Sequence, residues 1–319
     1  MPNTENTSCP ARKTSIGGQA LIEGIMMRGP QKSAMAVRNP EGEIVLETWE
    51  TTSSFKSKVF KLPIIRGVFN FIDSMRSGYK CLMRSAEIAG LEDEEPAKDG
   101  KEQKGISAFA MNALMVVSAV LGVVLALFLF MYLPVQIYSW IEKAIPGLAG
   151  NRFLRSLFEG VLRIAIFLAY MMLVTLMKDI RRTFQYHGAE HKTIFCYEHG
   201  LPLTVENVRK QGRFHPRCGT SFMVLMLIVG IFVSMFISPD IHPLLRSAIK
   251  LLTLPIVMGI GYELIKLAGR HDNAFTRFIS KPGVWMQHIT VLEPTDDMIE
   301  CAITAFKEVL PEDEKQANW

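Results

Sequence analysis

The sequence predicts a predominantly α-helical membrane protein with about four transmembrane helices and a small cytoplasmic α+β portion. Of its 319 residues, 49% are apolar and only 21% are charged, whereas a soluble domain carries about a quarter charged residues. Two runs account for much of the deficit: 37 uncharged residues between Lys104 and Glu142, and 22 between Arg217 and Asp240. Because about 20 apolar residues cross a bilayer as a helix, both runs are long enough to span it. The composition therefore argues against an ordinary soluble globular protein.

The charge and cysteine content narrow the class further. The net charge of +4 is mild for this length, so nucleic acid is not an expected partner. The five cysteines form no C-x-x-C pair, which is typical of reduced thiols in a protein that faces the cytosol. The first fifteen residues contain no apolar stretch, so we expect no cleaved signal peptide.

Residues 1–87 are predicted to form an N-terminal cytoplasmic segment. Two β-prone runs, residues 34–38 and 43–49, flank the turn sequence NPEG and predict a hairpin. Over residues 59–86, apolar residues recur at helical spacing with basic residues on the other faces. This amphipathic helix is expected either to lie on an anionic membrane surface or to pack on the hairpin.

Residues 106–270 are predicted to form a membrane block, preceded by an acidic, solvated linker at residues 88–105. The four candidate spans are residues 107–135, 156–177, 221–237 and 244–267. The fourth is the weakest, because Lys250 and Glu263 leave only twelve uncharged residues between them and Pro255 lies inside.

The distribution of Lys and Arg predicts the orientation of the spans. The chain up to the first span holds fifteen, the loop 136–155 three, the loop 178–220 eight and the turn 238–246 one. Rich and poor loops alternate, so both termini are expected in the cytoplasm and any chemistry on the cytoplasmic face or inside the membrane. Within the second span, Glu159 and Arg163 are one helical turn apart and are expected to pair.

The loop 178–220 is the candidate site, because it contains four of the seven histidines and two of the five cysteines. Within it, His187, Glu190 and His191 form H-x-x-E-H, the order of the inverted zincin motif. On a helix both imidazoles would lie on one face and could bind one Zn²⁺, with the carboxylate as general base. The pattern predicts a divalent metal, first of all zinc, and assigns Glu190 the catalytic role.

A catalytic zinc needs a third protein ligand and an open position for water. The candidates are His215, Cys218, Glu206, His199, His271 and Asp272. Arg217 beside Cys218 would favour a thiolate, for metal binding or as a nucleophile. The segment HPRCGT that holds these residues can equally cap the helix of the third span.

A competing interpretation assigns the motif no metal. The histidines would then bond only within a packed domain or to headgroups, and Gly188 inside the motif disfavours helix by about 1 kcal/mol relative to alanine. The surrounding basic residues are Arg181, Arg182, Lys192, Arg209, Lys210, Arg213 and Arg217. Positive-inside topology explains most of them, and binding of anionic lipid headgroups is the functional alternative. Docking of an RNA-containing partner is less favoured, because no aromatic RNA-binding module is visible.

Two further segments carry no predicted chemistry. The N-terminal stretch SIGGQALIEGIMMRGP lacks the pattern of a phosphate-binding or dinucleotide loop, so its glycines predict tight turns or close backbone packing. The C-terminal cytoplasmic segment, residues 271–319, contains a helix that starts near Asp296 and Asp297, where acidic residues suit the helix dipole. We expect this helix to dock on the cytoplasmic portion.

Four motifs carry a resemblance to a known family: GGQALIEGIMMRGP, YHGAEHKTI, HPRCGTSF and QHITVLEPTDDMIE. Together they resemble the YqhQ-like family of multi-pass bacterial membrane proteins, over nearly the whole chain. The resemblance implies location in the bacterial inner membrane and a metal-dependent enzyme of unassigned substrate.

The sequence thus leads to one principal hypothesis and one alternative. The principal hypothesis is a metal-dependent hydrolase at the cytoplasmic membrane face, with His187, His191, and His215 or Cys218 as metal ligands and Glu190 as catalytic base. The alternative is a non-catalytic membrane scaffold that binds anionic lipid or assists membrane-protein assembly. A membrane-protein partner or a homo-oligomer is compatible with either.

Overall fold

The computed structural model describes residues 14–51, 62–91, 108–145, 147, 150–270 and 273–311. Most of the predicted linker 88–105, together with Cys9, His271 and Asp272, lies outside these residues. The strands are β1 (Gly17–Leu21), β2 (Gly24–Arg28), β3 (Lys32–Arg38) and β4 (Ile44–Glu50). The helices are α1 (Ile65–Ile88), α2 (Ala108–Leu127), α3 (Leu133–Ala144), α4 (Arg152–Val174), α5 (Lys178–Glu198), α6 (Val205–Arg209), α7 (Gly219–Ser234), α8 (Pro243–Leu252), α9 (Leu254–Arg270), α10 (Ala274–Thr290) and α11 (Asp296–Val309). A π-helical turn, Phe128–Tyr132, joins α2 to α3.

The four strands form an antiparallel sheet in the order β1-β2-β3-β4. The predicted hairpin is confirmed as β3 and β4, in which Arg38 pairs with Ile44 across the turn. Gly42 supplies the left-handed backbone conformation of that turn, with φ of 88°, which glycine adopts without steric cost.

The sheet is the middle of three layers, because successive strand residues point to opposite faces. Ile25 and Met27 of β2 pack in a core shared with α5 and α11. Met26 between them packs on the other face, in a cluster with Cys81 of α1. Each fully buried side chain of this size contributes about 1.5–3 kcal/mol, so the two clusters fix both helical layers onto the sheet.

Helix α11 is the predicted docking helix. Its first turn carries Asp296 and Asp297, and Arg38 of β3 donates a 2.9 Å hydrogen bond to the Asp297 carbonyl. The apolar stripe predicted from the sequence is buried throughout: Met298, Ile299, Ala302, Phe306 and Val309. The expectation of a docking helix is confirmed.

Helix α1 links the sheet to the helical block. Near its start, Gly67 lies so close to α9 that a Cβ would stand 2.7 Å from the Cβ of Tyr262. Near its middle, Gly78 lies against Gln19 of β1, where a Cβ would stand 2.4 Å from Oε1. Its Met75 and Tyr79 remain exposed, so α1 packs on the sheet with one face only.

The helical block contains fewer full-length apolar helices than predicted. Within the described residues, two helices are long and apolar enough to cross a membrane: Val116–Ala144, which runs through the π-helical turn, and α4. The predicted fourth span is two helices, α8 and α9, bent by 46°. Pro255 explains the break, because it lacks an N–H and its ring clashes with the carbonyl four residues earlier. Helix α7 has 16 residues, fewer than the ~20 that cross a bilayer.

The charge pairing predicted inside the second span is wrong. Glu159 forms ion pairs with Arg155, Arg246 and Lys250. Arg163 instead donates a 2.7 Å hydrogen bond to the carbonyl of Phe130 in the π-helical turn. The correct partners of Glu159 include two cations from α8, 87 and 91 residues away, which local spacing cannot identify.

Candidate metal centre

Helix α5 presents His187 and His191 on one face. The two residues are one turn apart, and their ring centroids are 4.5 Å apart. The adjacent part of the α5 surface lies against the backbone before α11. A Cβ on Gly188 would stand 2.0 Å from the carbonyl oxygen of Leu292, so the close approach requires glycine at this position. The residue that weakens the helix in isolation thus permits the packing that orients both histidines.

Cys218 supplies the third convergent group. It caps the N-terminus of α7, and its Sγ accepts a hydrogen bond from the Thr220 amide at 3.4 Å. The His187 Nε2 and Cys218 Sγ atoms are 3.1 Å apart. One ligand atom from each of His187, His191 and Cys218 lies within 4.8 Å of the other two. Two imidazoles and a thiol in this arrangement are a donor set that zinc binds in proteins.

Backbone carbonyls fix the orientation of both imidazoles. His187 Nδ1 lies 3.0 Å from the carbonyl oxygen of Thr290, and His191 Nδ1 lies 2.6 Å from that of Arg213. A carbonyl oxygen only accepts, so each Nδ1 carries the proton and each Nε2 has its lone pair available as an acceptor. The Nε2 of His191 is buried near Cys218 and has no hydrogen bond of normal geometry among the described residues. A buried acceptor without a partner is costly, and a metal ion would satisfy it.

The site environment changes the proton affinity of its members. Burial lowers the pKa of His191, which favours the neutral imidazole that binds metal. Burial alone would raise the pKa of the Cys218 thiol, but His191 and Thr220 lower it below the ordinary value. Both shifts favour the ligand forms, a neutral imidazole and a thiolate.

Glu190 lies beside the histidines and does not belong to the convergent triad. Its Oε1 accepts a 3.0 Å hydrogen bond from the Gly18 amide of β1. Burial raises the pKa of its carboxyl to about 7, although His187 acts in the opposite direction. A carboxyl with a pKa near neutrality is suited to exchanging protons with a reacting group.

A cavity of about 570 Å³ gives access to this centre. Glu190, His191, His215 and Cys218 line one side of it, and residues 14–19 line the other. The N-terminal glycine stretch therefore forms a wall of the cavity. The sequence predicts only tight turns or close backbone packing for this stretch. Gly18 does pack closely, since a Cβ at this position would stand 2.6 Å from the Met26 carbonyl oxygen. Its place in the cavity had no sequence signal.

His215 lies next to the triad but is engaged by other groups. Its ring centroid is 5.6 Å from that of His191. Its Nδ1 accepts a hydrogen bond from the Arg217 amide at 3.3 Å, and its Nε2 lies 3.6 Å from Glu198 Oε2. Glu198 is buried, pairs with Arg217 and accepts a 2.8 Å hydrogen bond from the Thr14 amide. His215 as a metal ligand stays a prediction, while its observed contacts hold the wall of the cavity.

The other described ligand candidates lie elsewhere. Glu206 forms an exposed ion pair with Lys210 at 2.6 Å. His199 bonds through Nδ1 to Gln211 at 2.9 Å. Neither belongs to the convergent triad of His187, His191 and Cys218. Glu23 and Arg28, at the ends of β2, form ion pairs with Arg182 and Asp73, and Arg28 also lines the cavity.

Comparisons with known proteins identify a family without assigning an activity. Residues 62–312 match the family described as "Protein of unknown function (DUF1385)". The chain is 35% identical over 299 residues to "Uncharacterized protein YqhQ" of Bacillus subtilis (strain 168), covering 93% of this chain and 92% of that protein. No solved structure matches the chain.

Proposed function

The chain belongs to the DUF1385 family, and on that premise we propose that it is a zinc-dependent hydrolase at the cytoplasmic face of a membrane. The observation that carries the proposal is the convergence of His187, His191 and Cys218 within 4.8 Å. Three protein ligands leave a fourth position for water, which is the pattern of catalytic zinc sites.

The orientation of the ligands supports metal binding over a purely structural role. Histidines that only stabilise packing would use both ring nitrogens in hydrogen bonds. Here the Nδ1 atoms are held by carbonyls. The Nε2 of His187 faces the Cys218 sulfur at 3.1 Å, and the Nε2 of His191 has no hydrogen bond of normal geometry among the described residues. Outer-shell carbonyl bonds of this kind are typical of metal-binding histidines.

The chemistry of the proposal is divided between the metal and Glu190. Zinc, when bound, lowers the pKa of a coordinated water and polarises a substrate carbonyl or phosphoryl group. Glu190 would accept the proton of the attacking water and deliver it to the leaving group. The Gly18 amide holds the carboxylate on the cavity side of α5, and the cavity would hold the substrate.

The proposed membrane location rests on the apolar helices. Val116–Ala144 and α4 are long enough to cross, and the bent pair α8–α9 would add a third passage. Large apolar side chains such as Val120, Leu121 and Val161 are exposed on these helices, as expected for surfaces that contact lipid. We propose that the chain is a multi-pass inner-membrane protein with both termini and the metal centre in the cytoplasm.

Metal analysis of the purified protein tests the first step. The wild type is expected to bind one zinc per chain, and His187→Ala and Cys218→Ala to lose it. His199→Ala removes a histidine from the end of the same helix and should retain the metal. A wild type without stoichiometric metal, or variants that bind as much as the wild type, would contradict the proposal.

Activity separates catalysis from metal binding. With p-nitrophenyl acetate as probe, zinc-loaded wild type should hydrolyse the ester, and Glu190→Gln should keep its zinc but lose about 100-fold in rate. Equal rates in the two proteins would remove Glu190 from the mechanism. A zinc-loaded wild type without turnover would make the centre a structural site.

One geometric feature supports a second candidate, a cysteine nucleophile. Cys218 lies at a helix N-terminus with His187 Nε2 3.1 Å from its Sγ, and this combination activates thiols for acyl transfer. Under this candidate, metal-free wild type would be rapidly alkylated by iodoacetamide at Cys218 and would retain ester hydrolysis. Under the zinc candidate, removal of the metal would abolish hydrolysis.

A further inference from the structure

A second cluster of buried charges lies where α4 meets α8, separate from the residues of the metal centre. Its members are at most 8% exposed: Arg155, Glu159, Arg163, Arg246 and Lys250. Buried charges in an apolar helical block are costly unless they are paired, so each member should have identifiable partners.

Two of the cations, Arg246 and Arg155, have a hydrogen-bond partner for every side-chain nitrogen. Arg246 donates to Glu159 at 3.1 Å, to Ser156 at 3.3 Å and to two backbone carbonyls at 2.6 and 3.0 Å. Arg155 likewise uses all three nitrogens, donating to Glu159, to Glu142 and a carbonyl, and to a serine hydroxyl. This part of the cluster is a complete structural network.

The other two cations have fewer described partners than Arg155 and Arg246. Arg163 uses Nε for the Phe130 carbonyl, but its Nη2 is buried and has no hydrogen-bond partner among the described residues. Lys250 has three donors, and the hydrogen bond described for its ammonium goes to Glu159. Glu159 is therefore shared by three cations, and Arg163 forms no ion pair within the described residues.

The charges of the cluster do not cancel. Four cations are buried, whereas one carboxylate, Glu159, is fully buried and a second, Glu142, has a side chain 21% exposed. The Nη1 of Arg163 points toward α7, since a Cβ built on Gly230 would stand 3.8 Å from it. Positive charge in excess and a buried guanidinium nitrogen without a hydrogen-bond partner among the described residues together indicate a missing anion.

We propose that Arg163 and Lys250 form a binding site for an oxyanion of the phosphate class. A guanidinium offers two parallel donors that match phosphate oxygens, and the ammonium adds a point charge. The phosphate has two sources, the headgroup of an anionic phospholipid or free inorganic phosphate. In either case the anion completes the buried network that Glu159 alone leaves positive.

Binding experiments on the full-length protein in detergent test the site and distinguish the two sources. One arm compares phosphatidylglycerol with phosphatidylcholine of the same chains, by native mass spectrometry. The other compares sodium phosphate with sodium chloride at equal ionic strength, by thermal unfolding. The variant is Arg163→Gln, and the matched control is Arg152→Gln, which removes an exposed arginine from the same helix.

We expect the wild type and Arg152→Gln to bind one of the two phosphate-bearing ligands at least about tenfold more tightly than its comparison ligand, which is the contribution of a charge-assisted hydrogen bond. Arg163→Gln should lose that preference. Preference for phosphatidylglycerol identifies a lipid headgroup, and stabilisation by inorganic phosphate a free anion. Arg163→Gln should fold at least as stably as the wild type without anion, because it removes an unpaired buried charge. Absence of any preference in the wild type, or its persistence in Arg163→Gln, overturns the proposal.

Discussion

The candidate metal centre and the buried charge network bury polar groups in opposite ways. In the candidate centre, backbone carbonyls bind the Nδ1 atoms of His187 and His191, and the two imidazoles converge with the Cys218 thiol. In the network, donors converge on the Glu159 carboxylate and on backbone carbonyls. Converging acceptors are stabilised only when a cation joins them, whereas donors that converge on a carboxylate are already stabilised by it. Burial by itself therefore does not distinguish a binding site from a structural network; the direction of the hydrogen bonds does.

The largest effect is expected where the metal centre depends on backbone packing. Gly188→Ala would place a Cβ 2.0 Å from the Leu292 carbonyl oxygen, and neither backbone can move without displacing His187. We expect the free energy of unfolding to fall by about 4 kcal/mol or more, with loss of bound zinc. Gly212→Ala is the control, because a Cβ there meets nothing within 4 Å. Thermal unfolding in detergent measures the stability of the two variants, and equal stability would contradict the packing argument.

The network side of the comparison is tested by Glu159→Gln. The change keeps the side-chain size but leaves Arg155, Arg246 and Lys250 without their shared carboxylate. Breaking a buried ion pair in this way costs about 3 kcal/mol, so the midpoint of thermal unfolding should fall. Glu206→Gln removes a carboxylate from an exposed pair and should leave the midpoint unchanged. Similar small effects of the two changes would mean that the network is not structural.

The smallest of the three effects is expected from removing the metal. Zinc held at about a hundredfold its Kd should stabilise the wild type by about 2.7 kcal/mol, and a chelator should remove that increment. His187→Ala should show no response to the chelator, and Glu159→Gln should respond like the wild type. If the chelator still destabilised His187→Ala, the metal would be bound at another site. The contrast between a metal-binding region and a purely structural network would then be wrong.

Much of the candidate site could be predicted from local spacing, and part of it could not. His187, Glu190 and His191 were identified because residues three and four apart share a helix face, which needs no tertiary information. Cys218 was one of six third-ligand candidates, and the choice depends on how the start of α7 packs against α5. The Gly18 amide that binds Glu190 is 172 residues away in sequence, and no pattern in a single chain connects the two.

The fold divides in the same way. The hairpin and the docking helix α11 follow from periodicity and turn residues, and both are confirmed. The predicted fourth span is a pair of helices bent at Pro255, where the sequence signal of a break was present but its outcome depended on neighbouring helices. The Glu159 pairing failed because three cations share one carboxylate, and the two from α8 reach it only through the folded arrangement of the helical block.

The sequence by itself determined that the chain is mostly helical and rich in long apolar helices, and that two histidines and a carboxylate share one helical turn. These properties depend on composition and on contacts between near neighbours. Only the tertiary structure decided which thiol joins the histidines, which strand closes the cavity, and which buried cation lacks a partner. Those contacts join residues far apart in the chain, and their geometry exists only once the layers have packed.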